Sequence, residues 1–368
     1  MLSNNTATFS RSRFAPQYSS SELIDGKYIL RNHLESDEIS RLYTARHVDT
    51  KEFVHIRIFT GYFSRFISDE PMFLEDREYF SKSLGKGQLK IIDKGLTDDS
   101  FYTVWPMERL ESLNELVKKI GPIQRDDALI IINETLNYLK NAYSKYKEPH
   151  LSIGGSNIYV NAKGEVRFSD YGISTYMLQK YPFFNIKCFH EYVAPELNRN
   201  AVKTASRSSD IFLLACILFK MVTGRTPAVI GATNQYRFDF IQPEIDRLGS
   251  DFMKIFARMS APSPERRLKT YSEVQSAVQS LLQREQISDQ DEEEIQIKEN
   301  EIITLGSKKF IFSEDFQHRM EALRNVADFI RSDSSKKEGR YIYKYLFYAI
   351  LLLFSTFIIL VKFTIEKI

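Results

Sequence analysis

Apolar and polar residues alternate with a period of two in three early stretches: Tyr28-Ile29-Leu30, Ile39 to His47, and Phe53 to Phe59. Alternation puts every second side chain on one face, which predicts half-buried strands. Leu89 to Asp93 and Phe101 to Trp105 predict a fourth and a fifth strand. After Pro106 the period changes. Leu113, Leu116 and Val117 mark one short helical face, and Ala128, Ile131, Ile132, Leu136 and Leu139 a longer one. Leu213 to Val222 is apolar nearly all round, predicting a buried helix that Gly224 closes. Strands first and helices afterwards predict an α+β fold.

Past residue 283 the pattern changes again. Asp289 to Glu294 is a solvated acidic run, and Ile302 to Phe312 predicts a small hairpin around Gly306-Ser307. Phe316, Met320, Leu323, Val326 and Ile330 recur at helical spacing, predicting an amphipathic helix that packs within the protein, on a partner or on a membrane surface. Tyr345 to Val361 carries no charge, and extended back to Tyr341 the run reaches about twenty residues, the thickness of a bilayer core. A buried core helix is the alternative. Tyr341, Tyr343 and Tyr345 suit a membrane interface. Lys336, Lys337, Arg340 and Lys344 outnumber Lys362 and Lys367 beyond the run, which predicts that the preceding chain lies on the cytoplasmic side. The expected organisation is a tail over 1–22, a folded domain over 23–283, a juxtamembrane linker over 284–340, a span over 341–362 and a short tail over 363–368.

Composition narrows this further. A hydrophobic content of 43% supports a sizeable core, and a net charge of +2 gives no reason to expect nucleic acid as a partner. Cys188 and Cys216 fit no metal-ligand spacing and read as free thiols. Met1 to Ser21 is rich in Ser, Asn and Thr, carries Arg11 and Arg13, and lacks the apolar centre of a signal peptide, so it reads as disordered.

The chemistry concentrates between His150 and Gly172. The chain there reads H-L-S-I-G-G-S-N, a short hairpin, and then Asp170-Tyr171-Gly172. Ala194-Pro195-Glu196, Ser209-Asp210 and Ser263-Pro-Glu-Arg-Arg267 follow in order. This resembles the protein kinase family, whose catalytic loop runs H-R-D-x-x-x-x-N, followed by D-F-G and A-P-E. The resemblance covers about Lys27 to Gln283. It implies a two-lobed fold, with a small β-rich lobe to about residue 107 and a large helical lobe over 108–283. Pro106-Met107-Glu108 then falls at the hinge, where the family contacts adenine through its backbone and proline offers no N–H.

Carried over residue by residue, the resemblance divides the motifs by job. His150, Tyr171, Gly172, Glu196, Asp210 and Arg267 match architectural positions. Glu196 is expected to pair with Arg267 (or Arg266), and Asp210 to hold the catalytic-loop backbone. The chemical positions are depleted. Ser152 stands for the catalytic Asp, Leu151 for the Arg before it, Gly154 for the phosphate-binding Lys of Ser/Thr kinases, and Arg57 for the strand Lys. Leu34 to Ser40, with three carboxylates and no glycine, stands for the Gly-rich loop. The resemblance also implies a helix over Met72 to Leu84, and Arg57 and Asp76 take the positions of the nucleotide-binding ion pair. Arg57 is equally readable as a structural strand residue, and Asp76 as a solvated helix charge. Asn157 and Asp170 match the metal ligands and are equally readable as groups satisfied within their own loops. ATP and Mg²⁺ are therefore the implied cofactors of a site whose residues predict weak or no ATP binding. Loss of a general base alone costs roughly 10²–10⁴-fold in rate.

The resulting expectation is a membrane-anchored pseudokinase that binds a protein partner at the cytoplasmic face. Two alternatives stand beside it. One is an active Ser/Thr kinase with displaced groups, Lys51 reaching the phosphates in place of Arg57. The other is an ATP-binding switch without phosphoryl transfer.

Overall fold

The structure, a computed structural model, describes residues 18–36, 40–59, 87–89, 91–97, 100–108, 110–161, 165–169, 191–198, 204–230, 235–288, 313 and 315–322. The chain divides into two compact units, residues 1–317 and 318–368. In the second unit the described residues, 318–322, are helical.

The first unit opens with a six-stranded sheet in the order β1-β2-β3-β4-β6-β5. Its strands are β1 Leu23–Ile24, β2 Tyr28–Ser36, β3 Ser40–His47, β4 Phe53–Phe59, β5 Asp93–Thr97 and β6 Ser100–Pro106. Every pairing is antiparallel. The period-two pattern decides the buried face: Leu30, Ala45, Ile56, Ile58, Tyr102 and Val104 converge in one cluster.

Two expectations need correction. The tail is shorter than residues 1–22, because Ser21 N–H donates to Leu30 O and Leu30 N–H to Glu22 O, both at 2.9 Å, and Tyr18 packs on the sheet's core. The fourth strand lies at Asp93–Thr97 rather than Leu89–Asp93. Leu89 is instead drawn out of the sheet: its N–H donates to Phe168 O at 2.8 Å and its side chain is buried between the lobes.

The helical part begins with β7 Leu110–Ser112, which joins β8 Ile158–Asn161 and β9 Val166–Phe168 in a three-stranded sheet. Helix α1, Leu113–Ile120, starts where Ser112 Oγ accepts the Glu115 N–H. Helix α2 spans Arg125–Tyr146 and α3 Arg207–Thr223. The predicted central helix is α3. It carries a capping box at Ser206 and ends at Gly224 with φ +72°, a conformation that costs glycine little. Every residue of α3 from Ser208 to Phe219 is buried. A hairpin, β10 Ala228–Ile230 and β11 Gln235–Arg237, precedes α4 Gln242–Leu248, α5 Ser250–Met259 and α6 Tyr271–Ser288. Cys216 is buried in α3, and burial pushes its thiol far up, so it is inert.

Among the described residues no helix is long and apolar enough to cross a membrane. The apolar run 341–361, the expected helix over 72–84 with Asp76, the triplet Asp170-Tyr171-Gly172, the expected hairpin over 302–312, and Cys188 lie outside the described residues.

Candidate functional site

The loop from His150 to Asn157 is held from below by α3. Asp210 Oδ2 accepts the His150 N–H and Oδ1 the Leu151 N–H, both at 2.7 Å, and the Tyr271 hydroxyl donates to Oδ2 at 2.5 Å. Burial pushes the Asp210 carboxyl up to about 6, against the pull of Tyr271 and the two amides. Leu151 sits at φ +64°, a left-handed conformation that costs a non-glycine residue about 1–2 kcal/mol. The bond from its own N–H to Asp210 holds it there. Asp210 thus carries the anchoring role that the sequence predicts for it.

Ser152 turns inward at the loop's centre. Its Oγ lies 3.1 Å and its N–H 3.3 Å from His150 Nδ1. A ring nitrogen that accepts the backbone N–H is the unprotonated one, so the hydroxyl also donates to it. The serine proton is directed into the loop, and no carboxylate stands in its place. Asn157 is used on both sides: Nδ2 donates to Ser152 O, and Oδ1 accepts the Gly154 N–H at 3.0 Å. One lone pair of Oδ1 remains for a metal ion. Among the described residues no three His, Cys, Asp or Glu side chains group as a metal site.

Gly154 and Gly155 lie against a charge network that the sequence reading missed. Glu191 Oε2 accepts the Gly155 N–H at 3.0 Å and an Asn114 Nδ2–H at 3.1 Å. Lys220 Nζ donates to Glu191 Oε1 at 2.7 Å and to Asn114 Oδ1 at 2.6 Å. Burial by itself would raise the Glu191 carboxyl, but the Lys220 charge, with hydrogen bonds from Lys220 and Asn114, takes it below its ordinary value. A Cβ on Gly155 would lie 2.0 Å from Asn114 Oδ1, so glycine is required there by the close approach. At Gly154 a Cβ would meet Glu191 Oε2 at 3.4 Å. The ammonium beside the loop is Lys220, and it is committed to Glu191.

The strand residue Arg57 is buried on β4 and reaches across to the other lobe. Its Nη2 donates to Ser156 O at 2.8 Å and to the Tyr159 hydroxyl, and its guanidinium lies 5.7 Å from the centre of the Trp105 ring. Around it, Leu42 from β3, Leu89, Trp105 from the end of β6 and Tyr159 from β8 form a single buried cluster, with Leu110 packed against it. Trp105 meets Tyr159 edge-on at 6.4 Å and His55 at 6.3 Å. The two aromatic rings therefore occupy the space between β4, β6 and β8. Periodicity marks Trp105 and His55 only as strand residues and does not separate Tyr159 from an ordinary strand tyrosine. Lys51 does not take Arg57's place: it lies in the β3–β4 turn at φ +62°, and its Nζ donates to Val48 O at 2.5 Å. The expected acidic turn is partly strand, with Leu34, Glu35 and Ser36 in β2 and Ser40 in β3.

Glu196 and Arg267 form the expected pair, and Arg266 takes no part in it. Nη1 and Nη2 of Arg267 bind the two carboxylate oxygens at 2.7 and 2.8 Å. The remaining donors go to Ala261 O, Ser208 O and Pro262 O, at 2.6, 2.9 and 2.9 Å. All five guanidinium hydrogens are therefore used.

Comparison with known proteins agrees with this geometry. The sequence profile described as "Protein kinase domain" matches residues 32–313, well over half of the chain. Serine/threonine-protein kinase PrkC of Bacillus subtilis (strain 168) is 24% identical over 207 residues, which cover 55% of this chain and 31% of that protein. Serine/threonine-protein kinase PknH of Mycobacterium bovis (strain ATCC BAA-935 / AF2122/97) is 24% identical over 281 residues, 73% of this chain and 45% of that one. The chain thus spans less than half the length of these two relatives. Among solved structures, the PknI kinase domain of Mycobacterium tuberculosis superposes with a TM-score of 0.53 at 15% identity, covering 72% of this chain and 99% of that one.

Proposed function

Because this chain belongs to the protein kinase domain family, we propose that it uses the family's fold without the family's phosphoryl transfer, as a pseudokinase that binds a protein partner. One observation carries this reading: among the described residues, Trp105, Tyr159 and Arg57 pack against one another where the two lobes meet. The family holds its nucleotide there, with adenine at the hinge and phosphates at the strand Lys. Here Trp105 and Tyr159 fill that position at 1% and 2% exposure. Arg57 spends its Nη2 on Ser156 O and Tyr159. Phosphoryl transfer rests on positioning and electrostatic stabilisation. Ser152 offers no carboxylate to a substrate hydroxyl, and Gly154 offers no cation to the phosphates. If Mg²⁺ binds, Asn157 Oδ1 holds it on the described side, and the ion would neutralise phosphate charge.

A second reading, an active Ser/Thr kinase, has the stronger support from the relatives, since PrkC and PknH both carry that name. A radiolabelled ATP assay with Mg²⁺ and Mn²⁺ in separate reactions decides between them. The expected result is no incorporation into the chain or into generic protein substrates, with Ser152→Asp equally silent, because base, Lys and pocket are lost by independent routes. Incorporation that vanishes in Asp170→Ala would establish a kinase site and overturn the proposal.

We place this activity at a membrane, anchored by Tyr341 to Val361 with the domain on the cytoplasmic side. The support is the charge-free run and the basic cluster before it. A reporter fused after Ile368 is expected on the far side of the membrane. A reporter signal on the cytoplasmic side rules out that orientation.

A further inference from the structure

Among the described residues after α6, Ser313 bonds back to the helical part of the domain. Ser313 N–H donates to Asp127 Oδ1 at 2.7 Å, and Ser313 Oγ–H donates to Asp127 Oδ2 at 2.5 Å. Asp127 belongs to the first turn of α2 and is 1% exposed, whereas Ser313 itself is exposed. The same Oγ accepts the Phe316 N–H at 3.2 Å, and Ser313 O accepts the Gln317 N–H at 3.0 Å. One side chain therefore performs two tasks. It caps the helical turn that follows it, and it solvates a buried carboxylate on α2. Phe316, buried to 2%, goes down with it. The surroundings are acidic: Asp126 precedes Asp127, and the charges of Asp126 and Asp315 both act on the Asp127 carboxyl. Arg125 lies close by, but its Nε is taken by Asp126 at 2.9 Å.

We propose that Ser313 is a phosphorylation site whose modification undocks that serine, and the helical turn it caps, from α2. The donor is a nucleoside triphosphate and the catalyst a protein kinase acting in trans, one whose groove accepts the acidic residues Glu314 and Asp315 after the serine. The bond from Oγ to the terminal phosphorus forms, the bond from that phosphorus to the departing nucleoside diphosphate breaks, and the hydroxyl proton leaves to the kinase's base. Three consequences follow from charge and hydrogen bonding. Oγ loses the hydrogen it donates to Asp127. A phosphate of about −1.5 to −2 charge then faces the carboxylate that the hydroxyl had solvated. A helix N-terminus also attracts phosphate, but that attraction acts whether the segment is docked or not. The repulsion from Asp127 and Asp126 is strongest when docked, whereas Asp315 moves with the serine and acts in both states, so the balance moves toward release. This inference is independent of whether the cleft is catalytic.

The test uses the full chain in detergent micelles, with phosphoserine encoded at 313, and follows hydrogen exchange at the Phe316 and Gln317 amides. Phosphoserine is expected to speed exchange at both by tenfold or more, with the amides of α3 unchanged as the control for folding. Asp127→Asn in the phosphorylated protein removes the facing charge and is expected to return exchange to within threefold of the unmodified chain. In parallel, mass spectrometry of the chain isolated from its native cells in growing and stationary culture is expected to find phosphate on Ser313. Unchanged or slower exchange with phosphoserine, an Asp127→Asn protein that stays undocked, or no phosphate on Ser313 in either culture would each overturn the proposal.

Discussion

Glu196→Ala should unfold this domain at a temperature lower by roughly 6–20 °C. The figure follows from a loss of about 3–5 kcal/mol for breaking a buried ion pair, at about 2–4 °C per kcal/mol for a domain of this size. The reason is an asymmetry of burial. The Arg267 side chain is wholly buried and Glu196 nearly so, at 8% exposure. Truncating Glu196 leaves a guanidinium sealed between Phe212, whose ring centre is 4.7 Å away, and three carbonyls that carry no net charge. Ser209 Oγ, which donates to Glu196 at 2.8 Å, loses its acceptor as well. Arg267→Lys should cost nearly as much, because one ammonium cannot replace a two-point contact and three carbonyl bonds. Ser152→Ala is the comparison. It removes one hydrogen bond to His150, at about 0.5–1.5 kcal/mol. Thermal melts of the three variants beside wild type test the claim. Small, equal shifts would mean that the pair contributes little to the stability of the domain.

Trp105→Ala should be comparably destabilising, at about 3–5 kcal/mol for truncating a buried large aromatic, and it should open the cleft. Trp105 touches both lobes, meeting His55 on β4 and Tyr159 on β8, so its removal leaves a cavity walled by Leu42, Leu89 and two rings. Trp105→Phe keeps the ring's contacts. It also removes an indole N–H that has no hydrogen-bond partner, and the cavity it leaves is smaller than that of the alanine variant, so its cost should fall well below that of Trp105→Ala. Indole added to Trp105→Ala should restore stability, by about 2.7 kcal/mol at a hundred times its dissociation constant. It should leave wild type unmoved. ATP with Mg²⁺ is the sharper arm: a thermal shift in Trp105→Ala that wild type lacks would identify the tryptophan as the plug of the nucleotide position. A shift of equal size in both proteins would show that the aromatic packing does not exclude the nucleotide, and would favour the active-kinase reading.

Both predictions grow from features that the linear chain reveals unequally. The period-two stretches and the later helical faces were legible because burial on one face imposes a repeat that local sequence must obey. Asp210, Glu196 and Arg267 were legible for a different reason: architectural motifs sit at set spacings from one another, and each was in place. The identity of the catalytic-loop residues, Ser152 and Gly154 among them, was also plain from sequence, since a missing carboxylate is a matter of residue type. The tertiary structure alone decided what surrounds these residues. Leu89 left the predicted fourth strand because its backbone and side chain found partners in Phe168 and the interlobe cluster, which lie far along the chain. Tyr159, Trp105 and Arg57 come from three strands, and nothing in the local pattern of any one of them reports that they meet. Glu191, Lys220 and Asn114 are likewise ordinary polar residues until folding brings them around Gly155, where desolvation and mutual charge turn them into one network. Periodicity and motif spacing are local constraints, so sequence carries them. The meeting of side chains from distant strands is set by long-range packing, and only the folded chain expresses it.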